Sequence, residues 1–98
     1  MNIEFLRNFV KLARYKSFSE LARDLPISQS TLSHQISQLE KEVGVVLIKR
    51  STKKFEITDA GAIFLDYTQK IIDLFDACVE ELSKFKEFLA QTKIRNLH

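Results

Sequence analysis

Ninety-eight residues with a formal net charge of +2 and 45% hydrophobic content suit one small domain with a modest core. No stretch approaches the roughly 20 apolar residues of a membrane span, and the opening MNIEFLRNF mixes charges among its apolar residues, unlike a signal peptide. A single cysteine, Cys78, excludes an internal disulfide framework and suits a reducing cytoplasm, while two distant histidines do not complete a metal site.

In chain order, Glu4 to Tyr15 reads as a first helix. Leu6, Phe9, Val10 and Ala13 make its apolar face, with Arg7, Lys11 and Arg14 outside. Lys16 and Ser17 break the pattern, and Phe18 plugs the gap before a short second helix, Glu20 to Leu25. Ser19 is its expected N-cap, with Ser17 and Glu20 as an alternative capping box. Pro26 disfavours helical geometry at Leu25 and closes the helix. Ser28 then caps a third helix through Val43, and Gly44 follows as a left-handed stop. Two helices separated by Pro26, Ile27 and Ser28 have the spacing of a helix-turn-helix.

VVLIKR and KFEIT, around Ser51, Thr52 and Lys53, read as a small hairpin with a basic tip. Thr58 and Asp59 start a last helix to about Ala90, too long for so small a core to cover. The expected divisions are residues 1–57, a long helix over 58–90, and 91–98 as a tail or the start of a further domain. Residues 1–57 hold ten Lys/Arg against six Asp/Glu, and residues 58–98 hold five against seven. The first part therefore suits a polyanion and the second another protein. The architecture expected is mainly α, four helices with a two-stranded wing. Its core would be Leu6, Phe9, Val10, Phe18, Leu21, Ala22, Leu32, Ile36, Leu39 and Leu47.

The third helix has an unusual outer face. With Leu32, Ile36, Leu39 and Val43 towards the core, Ser30, His34, Ser37 and Lys41 point directly away. Ser33 lies on one flank, Thr31 and Gln38 on the other. An ordinary solvated face would carry Glu, Lys and Arg, which form helices better than Ser or Thr. Short hydroxyl side chains instead allow close approach to a major groove, and both donate and accept hydrogen bonds. Arg50, Lys53 and Lys54 would supply charge for phosphates, with Arg7 and Lys11 as further candidates.

The run SFSELARDLPISQSTLSHQISQLEKEVGVVLIKRSTKKFEITDAG, continued into the long helix, resembles the DNA-binding domain of LysR-type transcriptional regulators. The most specific pieces are ISQSTLSHQISQLE, Gly44-Val45 followed by Leu47, Arg50, and the ITDAG ending at Gly61. The resemblance implies a winged helix-turn-helix followed by a dimerisation helix. It places Gln29, Ser30, Thr31, Ser33 and His34 at the DNA-facing start of the recognition helix, and Arg50, Lys53 and Lys54 on the wing. A Gly inside a helix costs about 1 kcal/mol against Ala, so Gly61 points to close packing. The chain departs from the family at His34, often Arg, and at Leu21, often Ala. It also departs in length, because such regulators continue into a larger effector-binding domain.

On the last helix, Phe64, Ile71, Cys78 and Phe85 recur every seven residues, as do Thr68, Phe75, Leu82 and Leu89. Beyond about Ile72 no intrachain surface is left to cover this band. The expected dimerisation set is Ile71, Phe75, Cys78, Val79, Leu82, Phe85 and Leu89, with a higher oligomer left open. Cys78 reads as a small buried hydrophobe rather than a reactive thiol. The function expected is a dimeric regulator that binds double-stranded DNA sequence-specifically, with no cofactor, metal, membrane partner or enzymatic motif. A small-molecule effector enters only with a further C-terminal domain. The competing reading is a helical oligomerisation module without DNA specificity.

Overall fold

The computed structural model describes residues 1–50 and 54–96, with side chains through Gln91. The elements run α1 (Ile3–Tyr15), α2 (Phe18–Asp24), α3 (Gln29–Val43), β1 (Ile48–Lys49), β2 (Glu56–Ile57) and α4 (Asp59–Asn96). The strands are antiparallel, pairing Ile48 with Ile57 and Lys49 with Glu56. This is the expected winged helix-turn-helix with a long last helix. The wing's strands are shorter than its two β-prone runs suggested, and the expected tip at Lys53 lies outside the described residues.

Local chemistry sets most boundaries. The Asn2 side chain accepts from the Glu4 and Phe5 N–H groups, so α1 starts one residue earlier than its apolar pattern. Ser17, not Ser19, caps α2, accepting from the Glu20 N–H at 3.2 Å. That choice draws Phe18 into the first turn of α2. Leu25 is extended before Pro26 (φ −110°, ψ 154°), as the proline demands. Ser28 accepts from the Thr31 N–H at 3.1 Å, and Gly44 ends α3 at φ 79°.

The core gathers Leu6, Phe9, Val10, Leu21, Leu32, Ile36, Leu39 and Leu47 as expected, with Phe18 and Ala22 partly buried against it. Leu12, Ile48 and Ile72 join them. Leu12 is buried because α1 packs against α2, α3 and α4, so its covered arc is wider than one stripe. Val43, expected towards the core, is exposed at the end of α3. Buried Asn8 donates to Gln35 Oε1 at 2.7 Å, satisfying a polar contact between α1 and α3.

Thr58 joins the wing to α4. Its hydroxyl donates to the Val46 carbonyl at 2.7 Å and accepts from the Gly61 N–H at 2.9 Å. Its own N–H donates to the Leu47 carbonyl at 3.0 Å. Gly61 is buried here, and a Cβ on it would lie 2.2 Å from the Leu47 carbonyl oxygen. Phe64 then meets Phe9 edge to face, with ring centroids 5.1 Å apart.

Among the described side chains of α4, Thr68 and Ile72 are the last two to be buried. Thr68 Oγ1 has no hydrogen-bond partner, a penalty that a methyl would not carry. Thr68→Val is therefore expected to raise stability by about 1 kcal/mol, read as a higher denaturant midpoint at unchanged slope. An unchanged or lower midpoint would count against it.

Beyond Ile72, among the described residues, one polar tie between α4 and the rest of the domain remains, a two-pronged Arg7–Asp76 pair between α1 and α4. Hydrogen bonding to Arg7 holds the Asp76 carboxyl below the usual carboxylate range. The helix continues through Asn96, past the expected end near Ala90. Gln91 to Asn96 contain no Gly or Pro, and the lapse of an apolar pattern does not stop a helix. At 1.5 Å per residue α4 spans roughly 57 Å, almost the 62 Å length of the molecule.

Candidate nucleic-acid interface

α3 carries its core residues on one side and, from Gln29 to Gln38, a small polar surface without Lys, Arg, Asp or Glu on the other. Leu32, Ile36 and Leu39 are fully buried. Gln29, Ser30, Thr31 and His34 are exposed, and Ser33 and Ser37 are half-buried on the flank facing the wing. The Ser28 hydroxyl lies 3.1 Å from that of Ser30 and donates to Thr31 Oγ1 at 2.9 Å. Among the described residues, the side chains of Gln29, Ser33 and His34 make no hydrogen bond. They are available to an external partner.

Beside this face an open cleft of about 400 Å³ lies between the start of α2, the start of α3 and the wing. Lys16, Gln29, Ser33, Lys49, Arg50 and Lys54 line it. Four of its ten lining residues are cationic. Lys16 and Lys49 were not among the expected site residues. Lys16 is the C-cap of α1, at φ 57°, and its place on the cleft follows from the sharp α1–α2 turn. Lys49 also pairs with Glu56 across the wing at 3.4 Å.

Arg50 lies differently from a free wing cation. Its guanidinium folds back onto α3, donating to Ser37 Oγ at 2.9 Å and to the Ser33 carbonyl at 3.4 Å. It also sits 3.4 Å from Glu40 Oε1 and 5.5 Å above the Phe18 ring. The second Glu40 oxygen accepts from the N–H groups of Leu47, at 2.8 Å, and Ile48, at 3.2 Å. Glu40 is a residue the sequence reading passed over. Its only sequence signal is a carboxylate one turn before Gly44, which is too common to single out. Arg7, a further candidate for phosphates, is engaged with Asp76 and Glu4 instead.

The expected association residues Ile71, Phe75, Cys78, Val79, Leu82, Phe85 and Leu89 are all exposed. So are Ile63, Tyr67 and Leu74, which the sequence reading omitted from that set. Tyr67, Ile71, Leu74, Cys78, Leu82, Phe85 and Leu89 follow the three- and four-residue steps of one helical face. That face therefore starts on the part of α4 whose other side covers the winged domain. Among the described residues no helix is long and apolar enough to cross a membrane.

The family described as bacterial regulatory helix-turn-helix protein, lysR family, matches residues 3–62. The chain belongs to the lysR family. Among relatives of this family, it is 44% identical over 81 residues to the HTH-type transcriptional regulator BudR of Klebsiella aerogenes. That match covers 83% of this chain and 57% of the regulator. Against CitR of Bacillus subtilis (strain 168) identity is 33% over 92 residues, covering 94% of this chain and 32% of the regulator. The chain thus spans about half of one lysR-type relative and a third of the other.

Solved structures agree in fold. The BenM DNA-binding domain in complex with catB site 1 DNA superposes with a TM-score of 0.80 at 32% identity. That likeness covers 89% of this chain and 94% of the other. DarR of Vibrio fischeri in complex with DNA, a lysR-type protein, gives a TM-score of 0.85 at 27% identity. It covers 90% of this chain and 30% of that one.

Proposed function

We propose that this chain is the DNA-binding part of a lysR-family transcriptional regulator, acting in the cytoplasm as a homodimer on double-stranded DNA. The observation that carries the reading is the exposed, uncharged face of α3 beside a cleft lined by four cations. Gln29, Ser30, Thr31, Ser33, His34 and Ser37 face base edges in the major groove, where short polar side chains can both give and take hydrogen bonds. Lys16, Lys49 and Lys54, with Lys53 outside the described residues, position the duplex through its phosphates. The long apolar face of α4, from Tyr67 to Leu89, is covered by a second copy. No catalytic step belongs to this reading.

Selection of bound sites from random duplex DNA tests it, with enrichment of one motif of inverted symmetry expected. Ser33→Ala or His34→Ala should then relax preference among sequences by about 1–3 kcal/mol where a good base contact is lost. Competition against single-base variants of the selected site checks this. Equal weakening on every duplex would reassign those side chains to positioning.

The exposed apolar α4 also suits an oligomerisation module without DNA specificity. In that case selection returns no motif. A small polar reading face would then have no role.

A further inference from the structure

We propose that Arg50, held by Glu40, positions the reading face of α3 rather than contacting DNA phosphate. This rests on the reading of α3 as the DNA-reading helix. Arg50 follows directly on β1 and touches both α2 and α3. It leaves β1, spans Ser37 and Ser33 on successive turns of α3, and stacks over Phe18 at the start of α2. A planar guanidinium with a fork of donors suits that bridging, whereas a single ammonium does not.

Glu40 holds the other end. Its side chain is only 13% exposed, and a carboxylate so far out of water needs donors on both oxygens. Two come from the backbone at the entry to β1, at Leu47 and Ile48, and the third group is the Arg50 guanidinium. The unit thus ties the wing's first strand to the helix whose outer face reads. Moving Arg50 out to a phosphate would strip Ser37 of its donor and leave Glu40 without its cation. The pair is close to neutral as it stands, so its contribution to the field felt by DNA is small.

The two roles differ in salt dependence. A lost phosphate contact lowers the slope of log affinity against log salt by about 0.9 for each binding unit. A positioning residue leaves the slope in place and lowers discrimination. The full chain is titrated with its selected site and with a random duplex over a range of salt, as Arg50→Ala, Arg50→Lys and Glu40→Gln.

For Arg50→Ala, the preference for the selected site should fall by about tenfold with the slope unchanged. Arg50→Lys should not restore that preference. Glu40→Gln, which releases an unpaired Arg50, should tighten binding to the random duplex while lowering preference. A slope lowered by about 0.9 per unit in Arg50→Ala, equal weakening on both duplexes, and rescue by Lys would overturn the assignment. If Glu40→Gln does not fold, the two Arg50 variants decide alone. Failure of the native chain to prefer any duplex would instead overturn the DNA reading itself.

Discussion

Leu82→Glu combined with Phe85→Glu is expected to yield a folded monomer that binds a full DNA site about 100-fold more weakly, or worse. Both side chains are exposed in the single chain, at 57% and 65%, and neither belongs to the winged core. The substitutions therefore leave the domain intact and act on association alone. In a seam between two copies the new carboxylates of one would face those of the other, adding like-charge repulsion to the loss of apolar burial. One recognition helix spans few base pairs. Joining two units makes the second contact intramolecular, and that avidity is what the double substitution removes. Sedimentation and binding to full and half sites measure the two effects separately. A native chain that sediments as a monomer, or a double variant that binds a full site normally, would remove the basis for the dimer.

Gly61→Ala is expected to destabilise the domain by about 3 kcal/mol, at the upper end of ordinary overpacking. Helix propensity alone has the opposite sign, favouring Ala by about 1 kcal/mol. Geometry decides the contest. The new Cβ would lie 2.2 Å from the Leu47 carbonyl oxygen and 2.8 Å from Ile57 Cγ2. The first of these is backbone, fixed on both sides by the Thr58 N–H and by the wing pairing next to it. It has little freedom to move without breaking the Thr58 contacts that seat α4. A loss of that size takes a large share of a small domain's typical stability. Chemical denaturation with a two-state fit gives the number, and a gain in stability would show that the wing gives way easily.

Much of the fold was legible because its signals are local. Ser28, Gly44 and Pro26 act on backbone within one helical turn, and their positions alone delimit α3 and the end of α2. The two faces of α3 likewise follow from residue order, with Leu32, Ile36 and Leu39 opposite the Ser, Thr and His side chains. The surplus apolar length of α4 also follows from order and count. Where two local solutions were nearly equal, order could not choose between them. Ser17 and Ser19 both suit a cap, and Ser17 prevails in the structure, where Phe18 packs on the core and its ring lies 6.2 Å from that of Phe55.

The rest depended on neighbours distant in sequence. Leu12 reads as off-face until α2, α3 and α4 surround α1. Lys16 reaches the cleft only through the placing of α2 and the wing. Arg50 has the same charge and spacing whether it reaches outwards or back over α3. Its direction is set by Ser37, Ser33 and Phe18, thirteen, seventeen and thirty-two positions earlier in the chain. Periodicity records which side of an element is apolar, because burial acts on a whole face at once. A polar partner is chosen by distances of a few ångströms between elements, and those exist only once the helices have packed.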